Sequence, residues 1–175
     1  MKLLLISDTH GSSKEVGDLV QQYVDEVQYV CHMGDFFRDL MKYEHTYKEM
    51  YPNLKVVCIT GNCDFSSIVS DECILEIPVG DGIVRRILMV HGHNHTVKLD
   101  RKRLAKYALQ QGVDACFYGH THEPTIETID SIFIMNPGSL TEPRGGSKAS
   151  YGFVEISEDG AITGKIVEAT KGDSK

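Results

Sequence analysis

The sequence lacks tryptophan and any long apolar run. Its most apolar stretch near the N-terminus, residues 3–6, reads LLLI and is followed at once by a serine and an aspartate. A membrane-spanning helix needs about 20 apolar residues, and the apolar core of a signal peptide is also longer than this stretch. We therefore expect a buried strand at residues 3–6 and no association with a membrane.

An excess of basic residues is also missing. Lysine and arginine together number 18 and aspartate and glutamate 25, so the formal net charge is −7 at pH 7. This balance disfavours stable binding to nucleic acid, because long-range attraction to a phosphate backbone requires positive charge.

The five cysteines are odd in number and include no Cys-x-x-Cys pair. Such usage is not that of a disulfide-stabilised secreted domain. Since we also find no export signal, we predict reduced thiols and a cytoplasmic location.

The length of 175 residues, with 41% hydrophobic and 25% charged residues, is typical of one globular domain. We predict a single domain over residues 1–170, followed by a polar tail at 171–175. The first 60 residues alternate between strands and helices, an order that favours parallel strands joined by helical crossovers. The predicted strands are 2–7, 28–33 and 54–60, and the predicted helices are an amphipathic segment after a Ser12/Glu15 capping box and residues 39–50.

The second half has more strands than helices. Turn residues separate short apolar segments, which predicts hairpins. The predicted strands are 72–78, 83–90, 115–118, 125–129, 132–135, 151–156 and 161–168, with a helix at about 100–111. Two packed sheets with helices outside would bury the apolar faces of all these elements, so we expect an α/β protein.

Polar side chains that commonly bind metals stand where the predicted strands end. The five clusters are Asp8-Thr9-His10, Gly34-Asp35, Gly61-Asn62-Cys63-Asp64, His91-Gly92-His93 and Gly119-His120-Thr121-His122. Because ligands of parallel sheets bind outside the carboxyl ends of the strands, we expect these clusters to converge at one edge.

Each cluster alone has a simpler interpretation. Asp8 could cap a turn, Gly-Asp is a common turn pair, and Asn62 could belong to a turn. His120 and His122 are a stronger pair, because residues i and i+2 of an extended segment point to the same side. The occurrence of all five clusters at strand ends favours a functional site.

The ordered set Asp-x-His, Gly-Asp, Gly-Asn-x-Asp, His-Gly-His and Gly-His-x-His resembles the calcineurin-like metallophosphoesterase superfamily. The short chain and the segment Asn136-Pro137-Gly138-Ser139 resemble its small bacterial and archaeal phosphodiesterase branch, although Asn-Pro-Gly is also a plain turn sequence. The resemblance implies a four-layer αββα sandwich, in which two packed mixed sheets are flanked by helices and two metals lie at the strand ends.

The resemblance also implies a ligand set. One metal would be held by Asp8, His10 and His122 and the other by Asn62, His91 and His120, with Asp35 bridging both. Asp35, Asn62 and His91 would thus act in catalysis through the metals that they hold.

This mixture of carboxylate, imidazole and carbonyl donors favours a transition-metal ion over Ca²⁺. We expect Mn²⁺, and Ni²⁺, Fe²⁺ and Zn²⁺ are the alternatives. The implied reaction is phosphodiester hydrolysis by a metal-bridging hydroxide.

Two positions carry open interpretations. Many members of the superfamily have a histidine where this chain has Cys63, and that histidine is thought to protonate the leaving group. We interpret Cys63 as a core filler rather than a proton donor, and we assign no separate general acid. Arg144 could bind a substrate phosphate or lie in a solvated loop.

A small phosphodiester is the expected substrate, and self-association into a homo-oligomer is compatible with the sequence. The alternatives are a metal-binding protein-interaction scaffold similar to the retromer subunit, which has this fold but little hydrolysis, and a nucleotide phosphomonoesterase. Retention of all seven ligand types favours the enzyme.

Overall fold

The computed structural model describes residues 1–169, so the predicted tail at 171–175 lies outside the described residues. Ten strands and four helices follow one another along this part of the chain. The strands are β1 (Lys2–Ile6), β2 (Tyr29–His32), β3 (Lys55–Cys58), β4 (Glu72–Gly80), β5 (Ile83–Val90), β6 (Ala115–Phe117), β7 (Thr125–Ile129), β8 (Ile132–Asn136), β9 (Ser150–Ile156) and β10 (Ile162–Glu168). The helices are α1 (Ser13–Tyr23), α2 (Arg38–Met41), α3 (Glu44–Met50) and α4 (Lys102–Gln110), and one turn of 3₁₀ helix spans His93–His95.

The strands form two five-stranded mixed sheets. The first sheet has the order β10-β9-β1-β2-β3, with β1, β2 and β3 parallel and β9 and β10 antiparallel. The second has the order β4-β5-β6-β8-β7, with a parallel centre of β5, β6 and β8 and an antiparallel strand at each edge. The parallel strands in each sheet therefore end at a shared edge.

Side-chain alternation along the strands divides the core into layers. Leu3 and Leu5 of β1 pack between the two sheets with Met89 and Phe117 of the second sheet. Successive side chains of a strand point to opposite faces. Accordingly, Leu4 packs on the other face of the first sheet, where the helical residues Val16, Leu19, Val20, Leu40 and Tyr47 cover it.

The second sheet is covered in the same way by α4. Leu104, Ala105 and Ala108 of this helix pack against Leu88 and Val90. Helix, sheet, sheet and helix thus form four layers, and the predicted αββα sandwich is confirmed. None of the helices within residues 1–169 is both long and apolar enough to cross a bilayer.

Two local predictions were wrong in detail. The predicted helix at 39–50 is two helices, because Tyr43 (φ −102°, ψ −1°) closes a tight turn in which its N–H binds Leu40 O at 3.1 Å. This bend places the Tyr43 ring against Gly17 of α1, where a Cβ atom would lie 2.6 Å from Tyr43 Cζ. Ser12 does precede α1, but its side chain makes no capping hydrogen bond, since its backbone (φ −89°, ψ 54°) is not in the extended conformation usual for this position.

Candidate metal centre

The segments that follow the parallel strands meet at one edge of the sandwich. Within the first sheet, Asp8 N donates to Gly34 O at 3.1 Å, which joins the ends of β1 and β2. The main-chain N–H of His120, after β6, donates to Asp8 Oδ2 at 3.0 Å and so joins the two sheets. The Cys63 N–H, after β3, donates to Asp35 Oδ1 at 2.8 Å.

Four of the predicted ligands form a close cluster. One donor atom from each of Asp8, His10, Asp35 and His122 lies within 4.8 Å of all the others. His122 Nε2 is 3.2 Å from Asp8 Oδ1 and 3.4 Å from His10 Nε2. Carboxylate and imidazole donors at such distances suit a divalent transition-metal ion.

His91 adjoins this cluster from the second sheet. Its Nε2 lies 3.4 Å from Asp35 Oδ1 and 3.9 Å from Asp8 Oδ1, and its side chain is fully buried. His91 Nδ1 donates to Met33 O at 2.7 Å, and His122 Nδ1 donates to Glu142 O at 2.6 Å. Each carbonyl fixes the tautomer of its imidazole and leaves the Nε2 lone pair directed into the site.

Two buried atoms of this site lack a partner. Asp8 Oδ2 accepts hydrogen bonds from Ser7 Oγ at 2.5 Å and from His120 N, but Asp8 Oδ1 has no hydrogen bond to any described residue. The same holds for His91 Nε2. A buried polar atom without a partner costs about 1–3 kcal/mol, so native proteins rarely contain one without a reason. A divalent cation would satisfy both atoms, and the residues present therefore fit such an ion.

The charge states of these residues also suit a cation. Burial favours the neutral form of Asp8, but His122, His91 and Ser7 outweigh it and hold the pKa of Asp8 below its usual range. The pKa of Asp35 is likewise held well below its usual range, because His91 and the Cys63 N–H outweigh burial. Both carboxylates are thus anionic at neutral pH, and they raise the pKa of His91 despite its burial.

His120 behaves differently. Burial and the neighbouring His91 lower its pKa to about 4, so its imidazole is neutral at pH 7. A neutral imidazole is the form that binds metals.

Backbone strain is concentrated at this site. Non-glycine residues rarely adopt positive φ, since the left-handed conformation costs an L-residue roughly 1–2 kcal/mol. Five of the seven predicted ligands adopt it: Asp8 (53°), His10 (45°), Asp35 (56°), His120 (66°) and His122 (60°). Strain of this kind persists where surrounding structure imposes it, and it clusters at functional sites.

The sequence profile of the calcineurin-like phosphoesterase superfamily domain matches residues 1–159. The chain belongs to this superfamily. It is 32% identical to the probable metallophosphoesterase YsnB of Bacillus subtilis (strain 168), over 92% of this chain and 88% of that protein. It is 30% identical to phosphodiesterase YfcE of Escherichia coli (strain K12), over 89% of this chain and 88% of that protein.

Solved structures share the fold. A predicted phosphoesterase from Streptococcus pneumoniae TIGR4 superposes with a TM-score of 0.73 at 25% identity, covering 96% of this chain and 97% of that chain. Vps29 of Entamoeba histolytica, in complex with zinc, superposes with a TM-score of 0.68 at 22% identity, covering 95% of this chain and 98% of that one.

The remaining predicted ligands of this phosphoesterase lie at the margin of the cluster. His120 is partly buried, and its ring centroid is 5.1 Å from that of His91 in an edge-on arrangement. Asn62 is exposed, and its Nδ2 contacts Cys63 Sγ at 3.2 Å rather than a carboxylate. The loop that carries Asn62 reaches the site through the Cys63 N–H, but the structure does not bring the Asn62 side chain into the cluster.

Cys63 and Arg144 are both exposed. The interpretation of Cys63 as a core filler was wrong, because the thiol lies at the surface on a loop that binds Asp35. Arg144 belongs to a segment anchored to the site, since its N–H donates to His122 O at 3.2 Å. A role of Arg144 in substrate binding stays a prediction.

Sequence reasoning missed the residues that hold the ligand loops. Asp39 Oδ2 accepts hydrogen bonds from Thr9 Oγ1 at 2.7 Å and from Gly11 N at 2.9 Å, which fixes the loop carrying His10. His32 is fully buried, and burial lowers its pKa to about 4. Its Nδ1 accepts the Gly34 N–H, so its Nε2 carries the proton and faces Thr9 Oγ1 at 3.1 Å.

The segment Asn136-Pro137-Gly138-Ser139 is more than a plain turn. Asn136 Nδ2 donates to Gly119 O at 2.9 Å, before His120. Ser139 Oγ donates to Asp8 O at 2.7 Å and accepts the Glu142 N–H at 2.8 Å. Two buried side chains thereby connect this segment to ligand loops of both sheets.

Replacement of Ser139 by alanine tests this connection. We expect Ser139→Ala to destabilise the fold by about 1–3 kcal/mol, because it leaves the carbonyl of Asp8 and the N–H of Glu142 without this partner in a buried region. Metal affinity should fall as well, by about 10- to 100-fold, as for other residues that orient ligands. Denaturant unfolding and metal titration measure the two effects. Ser12→Ala is the control, and it should change stability by less than about 0.5 kcal/mol since the Ser12 side chain makes no capping bond.

Proposed function

We propose that this metal-dependent phosphoesterase hydrolyses phosphodiester bonds and uses two divalent cations. The observation that carries the proposal is the buried cluster of carboxylates and imidazoles at the strand ends, in which Asp8 Oδ1 and His91 Nε2 lack hydrogen-bond partners among the described residues. Relatives named phosphodiesterase, 28–30% identical to this chain, support a diester as the substrate class.

The proposed ligand sets follow the grouping of the side chains. Asp8, His10 and His122 would hold one cation, and their donor atoms are already close together. His91, His120 and Asn62 would hold the other. Asp35, which lies in the cluster and also beside His91, would contact both cations.

The donor chemistry narrows the identity of the metal. These proposed ligands include no thiolate, whereas closed structural zinc sites usually contain cysteine. Carboxylate, imidazole and amide oxygen together suit Mn²⁺, Fe²⁺, Ni²⁺ or Zn²⁺. We propose Mn²⁺ as the physiological ion.

The residues of the chain prepare the site for phosphoryl transfer. Two divalent cations supply the Lewis-acid charge that a transferring phosphoryl group requires and lower the pKa of water. The anionic Asp8 and Asp35 provide the countercharge, while the carbonyls of Met33 and Glu142 orient His91 and His122. Because these groups are fixed by buried hydrogen bonds, little reorganisation is needed during the reaction.

Metal removal is the direct test of this function. We expect chelator-treated protein to lose hydrolysis of bis(p-nitrophenyl) phosphate and to regain it with Mn²⁺, because activation of water and stabilisation of the phosphoryl charge would both depend on the bound cations. Initial rates with Mn²⁺, Ni²⁺, Zn²⁺ and Mg²⁺, together with elemental analysis, measure the effect. Full turnover by protein verified to be metal-free would contradict the mechanism.

The alternative function considered from the sequence is that of a metal-binding scaffold for protein interactions. The chain is only 22% identical to Vps29, so this comparison shows a shared fold and not a shared function. A panel of phosphomonoesters, cyclic nucleotides and diesters distinguishes the candidates. Tightly bound metal without turnover of any ester would favour the scaffold, and preference for monoesters would favour a nucleotide phosphomonoesterase.

A further inference from the structure

Phe36 follows Asp35 directly and stands at the edge of the metal centre. Its side chain is 40% exposed, and its ring centroid lies 5.4 Å from that of His10 at an interplanar angle of 54°. The hydrophobic effect favours removing such a ring from water. Burial in the core therefore does not account for an aromatic residue at this position.

The backbone conformation does not account for it either. Phe36 has φ +71°, in the left-handed region that bulky residues avoid. Its N–H donates to Asp64 Oδ1 at 2.9 Å, and its carbonyl accepts the Asp39 N–H at 2.9 Å. These two hydrogen bonds hold the strained residue in place, and they hold its ring partly in solvent.

Further apolar side chains are exposed on the loop that follows β3. Phe65 is 84% and Ile68 94% exposed. This loop is attached to the Phe36 segment, since Arg38 Nη2 donates to Phe65 O at 2.6 Å and Asp64 accepts the Phe36 N–H. One side of the metal centre therefore has an apolar rim.

We propose that the exposed face of Phe36 stacks on a flat aromatic ester group of the substrate. The inference rests on the proposed function and deepens it, because it names the class of diester. A phosphate held at the centre carries its ester groups outward over the rim, where the ring of Phe36 lies beside His10. Aromatic rings attract one another in offset and edge-on arrangements, and stacking on an aromatic side chain tolerates different bases.

The test compares ligands that share the phosphate and differ in the ester group. Dissociation constants of diphenyl phosphate, diethyl phosphate and inorganic phosphate are measured by calorimetry on the Mn²⁺-loaded protein, with product release followed in parallel. We expect Phe36→Ala to raise the dissociation constant of diphenyl phosphate by about three- to tenfold. The dissociation constants of diethyl phosphate and inorganic phosphate should not change. Phe36→Tyr should keep the native preference. Leu109→Ala, which removes an exposed apolar side chain of α4, is the control and should change nothing.

A fluorescent variant gives an independent measurement. Since the chain has no tryptophan, Phe36→Trp introduces a single reporter at the rim. Its emission should change when diphenyl phosphate is added, whereas the same concentration of diethyl phosphate should have no effect. Adding a dithymidine phosphodiester separates two sources of the ring: a response to it alone assigns the stacked group to a base beyond a sugar, and a response to diphenyl phosphate alone assigns it to a ring on the ester oxygen.

The results separate this inference from the proposed function. If Phe36→Ala retains native metal content and the native preference for diphenyl phosphate, the stacking role is overturned, even when diesters are hydrolysed. If the native protein binds diphenyl phosphate more tightly than diethyl phosphate and Phe36→Ala removes this preference, the stacking role is supported, even when no diester is hydrolysed. If Phe36→Ala fails to fold, Phe36→Asn replaces it, because asparagine tolerates the left-handed conformation. A change of oligomeric state in these variants, with the aryl preference intact, would assign the rim to self-association and overturn the proposal.

Discussion

Replacing Asp35 by asparagine should remove metal and activity together. Asparagine keeps the shape of the side chain and an oxygen that accepts the Cys63 N–H, but it carries no charge. Loss of a residue that merely orients a ligand costs about 10- to 100-fold in metal affinity or activity. Asp35 is proposed to contact both cations, so we expect kcat/KM for bis(p-nitrophenyl) phosphate to fall by more than about 100-fold. Elemental analysis should show fewer than two metals per chain.

Histidine 45 provides a matched control. The His45 side chain is 87% exposed and lies 3.7 Å from Glu49 on α3, outside every cluster. His45→Ala should therefore change neither metal content nor kcat/KM. Thermal unfolding with and without Mn²⁺ adds a readout that needs no substrate, since a ligand that binds only the folded state raises the melting temperature. Two full metals and normal kcat in Asp35→Asn would show that the bridging assignment is wrong.

The fold could be predicted because its signals are local. Strand and helix periodicities lie within short segments, and the alternation of Leu3, Leu4 and Leu5 between two faces follows from strand geometry. The break between α2 and α3 could not be predicted in this way. It depends on the packing of Tyr43 against Gly17, and these residues are distant in sequence.

The site was predictable to the extent that it depends on strand ends. Asp8, His10, Asp35 and His122 lie close together because parallel strands end at one edge, as their positions in the sequence indicated. The residues that hold them depend on long-range contacts. Ser139 binds the carbonyl of Asp8 across 131 positions of sequence, and no local pattern indicates this pairing.

The environment of Phe36 is a further feature that could not be predicted from the sequence. Its position after Asp35 is visible in the sequence, but its exposure and left-handed backbone depend on the hydrogen bonds that its main chain makes with Asp39 and Asp64. A pattern of apolar residues would assign such a phenylalanine to the core. The role that we propose for Phe36 therefore rests on a disagreement between local preference and tertiary structure, which the sequence alone does not show.

The thiol of Cys63 should contribute little to turnover of an activated diester. Among the groups of the chain itself, partial burial, the hydrogen bond to Asp35 and nearby carboxylates raise the pKa of the Cys63 thiol to about 11, whereas bound cations would act in the opposite direction. Even a thiol with the ordinary pKa of about 8.5 transfers a proton less well at pH 7 than an imidazolium does, because efficient general acids have a pKa near the working pH. The enzyme should thus depend on leaving groups that depart as stable anions. It should cleave p-nitrophenyl diesters far faster than alkyl diesters.

Substitutions at this position separate the roles that a thiol could have. Cys63→Ala should be nearly silent with bis(p-nitrophenyl) phosphate. Cys63→His places an imidazole on the exposed loop beside Asp35, and we expect it to raise kcat mainly for poor leaving groups, by up to the ~10²–10⁴-fold typical of general acid catalysis. The measurement is kcat across a series of leaving-group pKa values for the three proteins, with metal content checked in each. A collapse of activated-diester turnover in Cys63→Ala, with metal and fold intact, would make the thiol catalytic, since neither positioning of the cations nor packing would then explain the loss.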